Sequence, residues 1–254
     1  MTARSIINQG NKLAVVRSEQ SSKSGVLFCG GFKSNMEGSK ALALDNICQH
    51  HKVDFTRFDY SGHGKSEGSF VSGNIDSWLS DTLAVVDSLE SPQQLILVGS
   101  SMGAWIATLA ALKRPGKVVG LVTIAAAPDF TERLLLPALS ESQMSLLRNN
   151  QPVLIPSDYD DGSPYPITDQ LIENSRQHCV LDKPVTLNIP VRMLHGTEDP
   201  DVPKDFSVAL MNAITSDDVQ LTLIKHGNHR LSSPDQLATL EHTLLKLIDQ
   251  INRK

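Results

Sequence analysis

The sequence predicts an α/β fold: one mostly parallel sheet flanked by helices. Short apolar runs alternate with longer helical patterns over most of the chain, as in successive strand–helix units. Several of those runs are continuously apolar, as strands become when helices cover both faces of their sheet. No repeat or low-complexity tract competes with this rhythm, and 254 residues of which 40 % are hydrophobic suit one domain spanning 1–254.

Taken in order, the strands are predicted at 13–16, 26–29, 53–58, 95–98, 118–124, 191–194 and 219–224. The helical patterns between them cover 36–50, 75–89, 102–112, 204–214 and 234–251. The last helix opens with Ser232 and Ser233 as caps and Pro234 in its first turn. Residues 129–187 break the rhythm with six prolines (Pro137, Pro152, Pro156, Pro164, Pro166 and Pro184) and a polar cluster at 157–163. We read this stretch as a small cap insertion lying over the sheet, helical near 131–148 and 168–179.

Composition excludes several classes of function. With 23 Lys and Arg against 28 Asp and Glu, the net charge of −5 offers no basic field for a nucleic acid partner. No apolar run is long enough to span a bilayer, so no stable membrane insertion is expected. Residues 1–10 lack the charged start and apolar core of a secretory signal. The expected compartment is therefore the cytoplasm, with the mitochondrial matrix, after removal of a targeting segment, as the alternative. Cys29, Cys48 and Cys179 are odd in number and widely spaced, which speaks for buried apolar roles and against disulfides or zinc.

The chemistry concentrates where the apolar run Leu95-Ile96-Leu97-Val98 meets Gly99-Ser100-Ser101-Met102-Gly103 and then a helical pattern. Strand, sharp turn and helix around G-x-S-x-G form a nucleophile elbow. The small residues at Gly99 and Gly103 let strand and helix approach, and Ser101 is presented above the sheet. Ser100, at the x position, is expected to point elsewhere.

A serine hydroxyl needs a base, and the base an orienting carboxylate, which follow in this chain order as acid and then His. His229 in Lys225-His226-Gly227-Asn228-His229 lies on the loop after the last strand and is preferred to His226, which abuts the strand end. The loop after the strand at 191–194 offers Glu198, Asp199 and Asp201. Asp199 is preferred, after a glycine turn and four residues before Pro203. Oxyanion donors are expected from the backbone N–H groups of Met102 and, after the strand at 26–29, of Phe32 in Gly30-Gly31-Phe32. The loop from Asp59 to Ser66 has neither nucleotide-binding glycine spacing and reads as structural support, with His63 near the pocket at most.

These motifs, in this order and over essentially the whole chain, resemble the α/β-hydrolase superfamily. More narrowly the chain is similar to the mitochondrial palmitoyl-protein thioesterases and acyl-glucuronide esterases of the abhydrolase-domain group. The resemblance rests on Gly38-Ser39-Lys40-Ala41-Leu42-Ala43, Arg57-Phe58-Asp59-Tyr60-Ser61-Gly62, the elbow, Arg114-Pro115-Gly116-Lys117-Val118-Val119, His178-Cys179-Val180-Leu181 and Leu194-His195-Gly196. It implies a serine hydrolase acting through Ser101, Asp199 and His229 on an acyl thioester or activated ester, small or carried on an acylated protein. No metal or cofactor is expected. The cap is expected to shape the acyl pocket; its apolar residues Leu134, Leu135, Leu136, Leu139, Met144, Leu146 and Leu147 suit a hydrophobic acyl chain, although such a run is more often only the buried face of a helix. The alternative is a ligand-binding sensor that keeps the fold and even the triad but turns over slowly or not at all.

Overall fold

In the computed structural model of the protein, which describes residues 2–92, 94–156 and 163–253, the strand predicted at 13–16 is the second half of a hairpin whose first strand was not predicted. β1 (Thr2–Asn8) returns as β2 (Asn11–Ser18) through Gln9 and Gly10, both at positive φ (47° and 82°). Such primed two-residue turns match the twist of paired strands. β3 (Ser24–Cys29) follows, then α1 (Ser39–His50), β4 (Asp54–Phe58), α2 (Ile75–Ser88), β5 (Gln94–Ser100), α3 (Met102–Lys113) and β6 (Val118–Ile124). The first predicted helix starts three residues late, because the Met36 N–H is held outside it by the buried Asp59 carboxylate at 2.6 Å.

The stretch after β6 departs most from expectation. In place of one helix over 131–148 there is a π-helical turn (Thr131–Leu135), a short α4 (Leu136–Ala138) and a separate α5 (Glu141–Arg148). Leu139 is extended, and Ser140 restarts the helix with a capping box to Gln143. A two-stranded ribbon of β7 (Val153–Ile155) and β8 (Tyr165–Ile167) comes next, then α6 (Asp169–Arg176). Of the polar cluster at 157–163, all but Ser163 lies outside the described residues. Both ends of this stretch are clasped to the core. Asp129 accepts from the N–H groups of Val180 and Leu181, each at 2.9 Å, and the Trp105 indole donates to the His178 carbonyl at 3.0 Å. The chain ends with β9 (Val191–Gly196), α7 (Asp205–Ala213), β10 (Val219–Ile224) and α8 (Pro234–Asn252).

The sheet runs β1-β2-β4-β3-β5-β6-β9-β10, parallel from β4 onward with the hairpin antiparallel at one edge. Alternate residues of each central strand face opposite layers. Ile96 and Val98 pack with Leu44, Leu244 and Leu247 of α1 and α8, whereas Leu95 and Leu97 pack with α2 and α3. α3 is apolar all round, with Met102 to Ala111 buried, because sheet and helices enclose it. The direction of winding reverses between β3 and β5, and ligands of open α/β sheets bind beyond the strand ends at such a point. Among the described residues no helix is long and apolar enough to cross a membrane.

Candidate active site

β5 passes into α3 through Ser101, whose φ of 55° and ψ of −121° strain an L-residue. The turn exists because its flanks carry no side chains. A Cβ on Gly99 would strike the backbone of Gly103 and Ala104, and one on Gly103 would strike the carbonyls of Cys29 and Gly30. The loop after β3 therefore lies directly against the first turn of α3. Ser100, the other candidate hydroxyl, is buried at the end of β5.

The loops after β9 and β10 are locked to one another. A Cβ on Gly196 would collide with the Gly227 carbonyl. The Thr197 and Glu198 amides donate to the carbonyls of Ile224 and Gly227 at 2.9 and 3.0 Å, and the His226 amide to Thr197 Oγ1 at 2.9 Å. This lock brings Asp199 beside His229. Nδ1–H of His229 donates to Asp199 Oδ2 at 2.7 Å, and Ser101 Oγ–H donates to His229 Nε2 at 3.0 Å. Because a carboxylate only accepts, it selects the ring tautomer whose Nε2 is free to take a proton. Burial works against the charge on Asp199, but hydrogen bonds from His195, His229 and the Val202 amide outweigh it and hold the carboxyl well below the usual range.

Of the rival residues, His226 and Glu198 pair with each other and Asp201 stays beside the site. His226 is exposed and pairs with Glu198 at 2.5 Å. Asp199, Asp201 and His229 present three ligand atoms within 4.8 Å of one another, a spacing that could hold a cation. Two of the three are already hydrogen-bonded to each other, so the cluster reads as an acid–base pair.

The amides of Phe32 and Met102 donate to no protein atom among the described residues. Gly31, next to Phe32, lies so close that an added Cβ would stand 3.5 Å from Ser101 Cβ. His63, expected near the pocket, sits behind this loop and does not line the cavity. Its Nδ1–H donates to the Ser61 carbonyl and its Nε2 accepts the Lys33 amide, each at 3.2 Å. Burial pushes its imidazole down to about 4, so the ring stays neutral and keeps that acceptor. The Phe32 ring is fixed edge-on by Phe70, Trp78, Phe130 and Tyr165, with centroids 5.0 to 5.8 Å away.

Ser101 and His229 open onto a cavity of about 500 Å³. Its lining combines apolar side chains, among them Phe130, Leu134, Leu135, Ile155, Tyr165 and Ile167, with the polar Asn35, Ser39, Lys40, Asp201, Arg230 and Ser232. Of the seven apolar residues expected to form the acyl pocket only Leu134 and Leu135 line it. Leu136, Leu139 and Met144 pack on the core, Leu147 is buried and Leu146 is exposed, because the helix breaks at Leu139. The β7–β8 ribbon supplies the remaining wall. Cys29 and Cys48 are buried as expected, whereas Cys179 is only half-buried. His195 and Lys40 escaped the sequence argument. His195 carried no signal beyond its place in the run Leu194-His195-Gly196, and Lys40 resembles any lysine in the first turn of a helix.

Comparison with known proteins places this geometry in context. Residues 20–164 match a family model described as "Serine aminopeptidase, S33". "Palmitoyl-protein thioesterase ABHD10, mitochondrial" of Bos taurus is 37 % identical over 231 residues, covering 90 % of this chain and 74 % of the relative. A putative hydrolase from Agrobacterium vitis superposes with a TM-score of 0.91 at 35 % identity, over 97 % of this chain and 98 % of the other. The mouse alpha/beta hydrolase domain-containing protein 10 gives 0.89 at 32 % identity, over 99 % and 100 %.

Proposed function

We propose, from the premise that the chain belongs to the α/β-hydrolase family described as "Serine aminopeptidase, S33" and is a hydrolase similar to ABHD10, that it cleaves acyl thioesters and activated esters through a Ser101 acyl-enzyme. The observation that carries this reading is the unbroken chain from Ser101 Oγ to His229 at 3.0 Å and from His229 to Asp199 at 2.7 Å, with Ser101 and His229 both lining one cavity.

His229 Nε2 takes the Ser101 proton as Oγ bonds to the acyl carbon, and Asp199 stabilises the resulting imidazolium. The carbonyl oxygen gains negative charge between the Phe32 and Met102 amides. As the tetrahedral species collapses, His229 gives its proton to the departing sulfur or oxygen. Water, deprotonated by the same ring, then attacks the acyl-enzyme and releases the acid and Ser101.

Residues 129–187 act in this reading as a cap on the single domain, with Leu134, Leu135 and the β7–β8 ribbon holding the acyl chain and the polar lining residues receiving the leaving group. The bovine relative is a mitochondrial palmitoyl-protein thioesterase, which supports a thioesterase and a mitochondrial setting and lends nothing to the cytoplasmic expectation. Turnover of an activated ester, abolished in Ser101→Ala, separates this reading from a sensor that keeps the triad without using it. The test is hydrolysis of matched acyl thioesters and oxyesters by wild type, Ser101→Ala and His229→Ala. Loss of both activities in both variants, by roughly 10³-fold or more, is expected. Turnover that survives Ser101→Ala overturns the assignment.

A further inference from the structure

We propose that His195 is a positioning residue that acts through Asp199 and sets the basicity of His229. This rests on the Ser101–His229–Asp199 reading above. His195, next to last in β9, has its side chain fully buried, and its Nε2 lies 2.9 Å from the Val202 carbonyl and 3.2 Å from Asp199 Oδ2. A carbonyl and a carboxylate only accept, so Nε2 carries the proton and shares it between them. In the neutral ring Nδ1 then accepts from Ser207 Oγ–H at 2.7 Å, and Ser207 is fully buried in α7. A hydroxyl polarising one ring nitrogen strengthens the donor at the other.

Asp199 is thereby saturated. Oδ1 accepts the amides of Asp201 and Val202 at 2.9 and 2.8 Å, while Oδ2 lies between two imidazoles. A carboxylate whose charge is drawn partly toward His195 attracts the His229 imidazolium less than one facing His229 alone. His195 thus keeps the carboxylate aimed while limiting how strongly it holds a proton on the base. The other charged groups at the pair are Asp201 from the same loop, Lys40 from α1 and Arg230 from the loop after β10. None of them is altered by substitutions at His195 or Ser207, which lie on its far side.

The experiment is the pH profile of kcat/KM for wild type, His195→Leu, His195→Gln and Ser207→Ala, with near-UV circular dichroism to establish folding and Ser101→Ala as control. Without the His195 donor the acidic limb is expected to move up by about 0.5 to 1 pH unit, lowering activity near pH 6 several-fold with little change at high pH. Glutamine, whose amide can reach the Nε2 position, should return the limb toward wild type. Ser207→Ala should move it the same way by less. A role confined to packing would lower the folded fraction without moving the limb. A folded His195→Leu with an unmoved limb overturns the proposal; should that variant not fold, an unmoved limb in Ser207→Ala does so. Turnover by Ser101→Ala would instead remove the reading on which the proposal rests.

Discussion

His63→Gln is expected to make the fold less sensitive to acid. The ring is 3 % exposed, and burial pushes its pKa down to about 4 from the ordinary 6.5, against the opposing hydrogen bond to Ser61. Between pH 6.5 and 4 the unfolded chain therefore binds a proton that the native ring refuses, and stability falls as pH falls through that window. From those two values the native state loses about 2 kcal/mol between pH 7 and pH 5, and about 3 kcal/mol by pH 4, through this one ring. Glutamine can still offer an oxygen to the Lys33 amide but does not titrate. Burial raises the carboxyls of Asp59 and Asp129, but these act alike in both proteins and cancel in the comparison. Urea unfolding of wild type and variant at pH 7 and pH 5 reads the difference directly. The loss on acidification should be smaller in His63→Gln by about 2 kcal/mol. Equal losses in the two proteins would refute the argument and mean that the native ring takes up its proton as readily as the ring of the unfolded chain.

Three further outcomes follow from the site's construction. Ser101→Gly removes the only side chain held at the strained turn, so the melting temperature should rise, by roughly 1 kcal/mol of stability or more, while turnover disappears. Gly103→Ala drives a Cβ into the carbonyls of Cys29 and Gly30 and so displaces the Phe32 loop. It should cost about 2 kcal/mol or more and slow fluorophosphonate labelling of whatever protein remains folded. Lys40 is pushed down to about 8, first by burial and then by the Arg230 charge, with Asp199 opposing. The unfolded chain binds the extra proton between pH 8 and 10.5, so wild-type stability should rise with pH over that window more steeply than that of Lys40→Met, as thermal melts would show.

The central strands were legible because burial on both faces leaves a continuous apolar signature, as in Leu95-Ile96-Leu97-Val98. β1 was not: it is an edge strand with Ile7 69 % exposed, and only the Gln9-Gly10 pair marked its turn. The break at Leu139 could have been read from Ser140 and Gln143, a capping box inside an apparent helix. At the site, Ser101, Asp199 and His229 were each named from loop position, and the fold places their side chains in hydrogen-bond contact. Their places were legible because all three sit at strand ends, which the chain order specifies. His195 and Ser207 were invisible for the opposite reason. They touch Asp199 from within the protein, through contacts between β9 and α7 that no local pattern encodes. The β7–β8 wall of the cavity escaped because three-residue strands flanked by prolines carry too little periodicity to register.

The claim on which the rest depends is that Ser101 is the nucleophile, and peptide mapping by mass spectrometry after treatment with a fluorophosphonate tests it most directly. One adduct per chain, carried on Ser101, abolished in Ser101→Ala and slowed in His229→Ala, is the predicted result. An adduct on Ser100 or another serine, or folded wild-type protein that remains unlabelled, would contradict it.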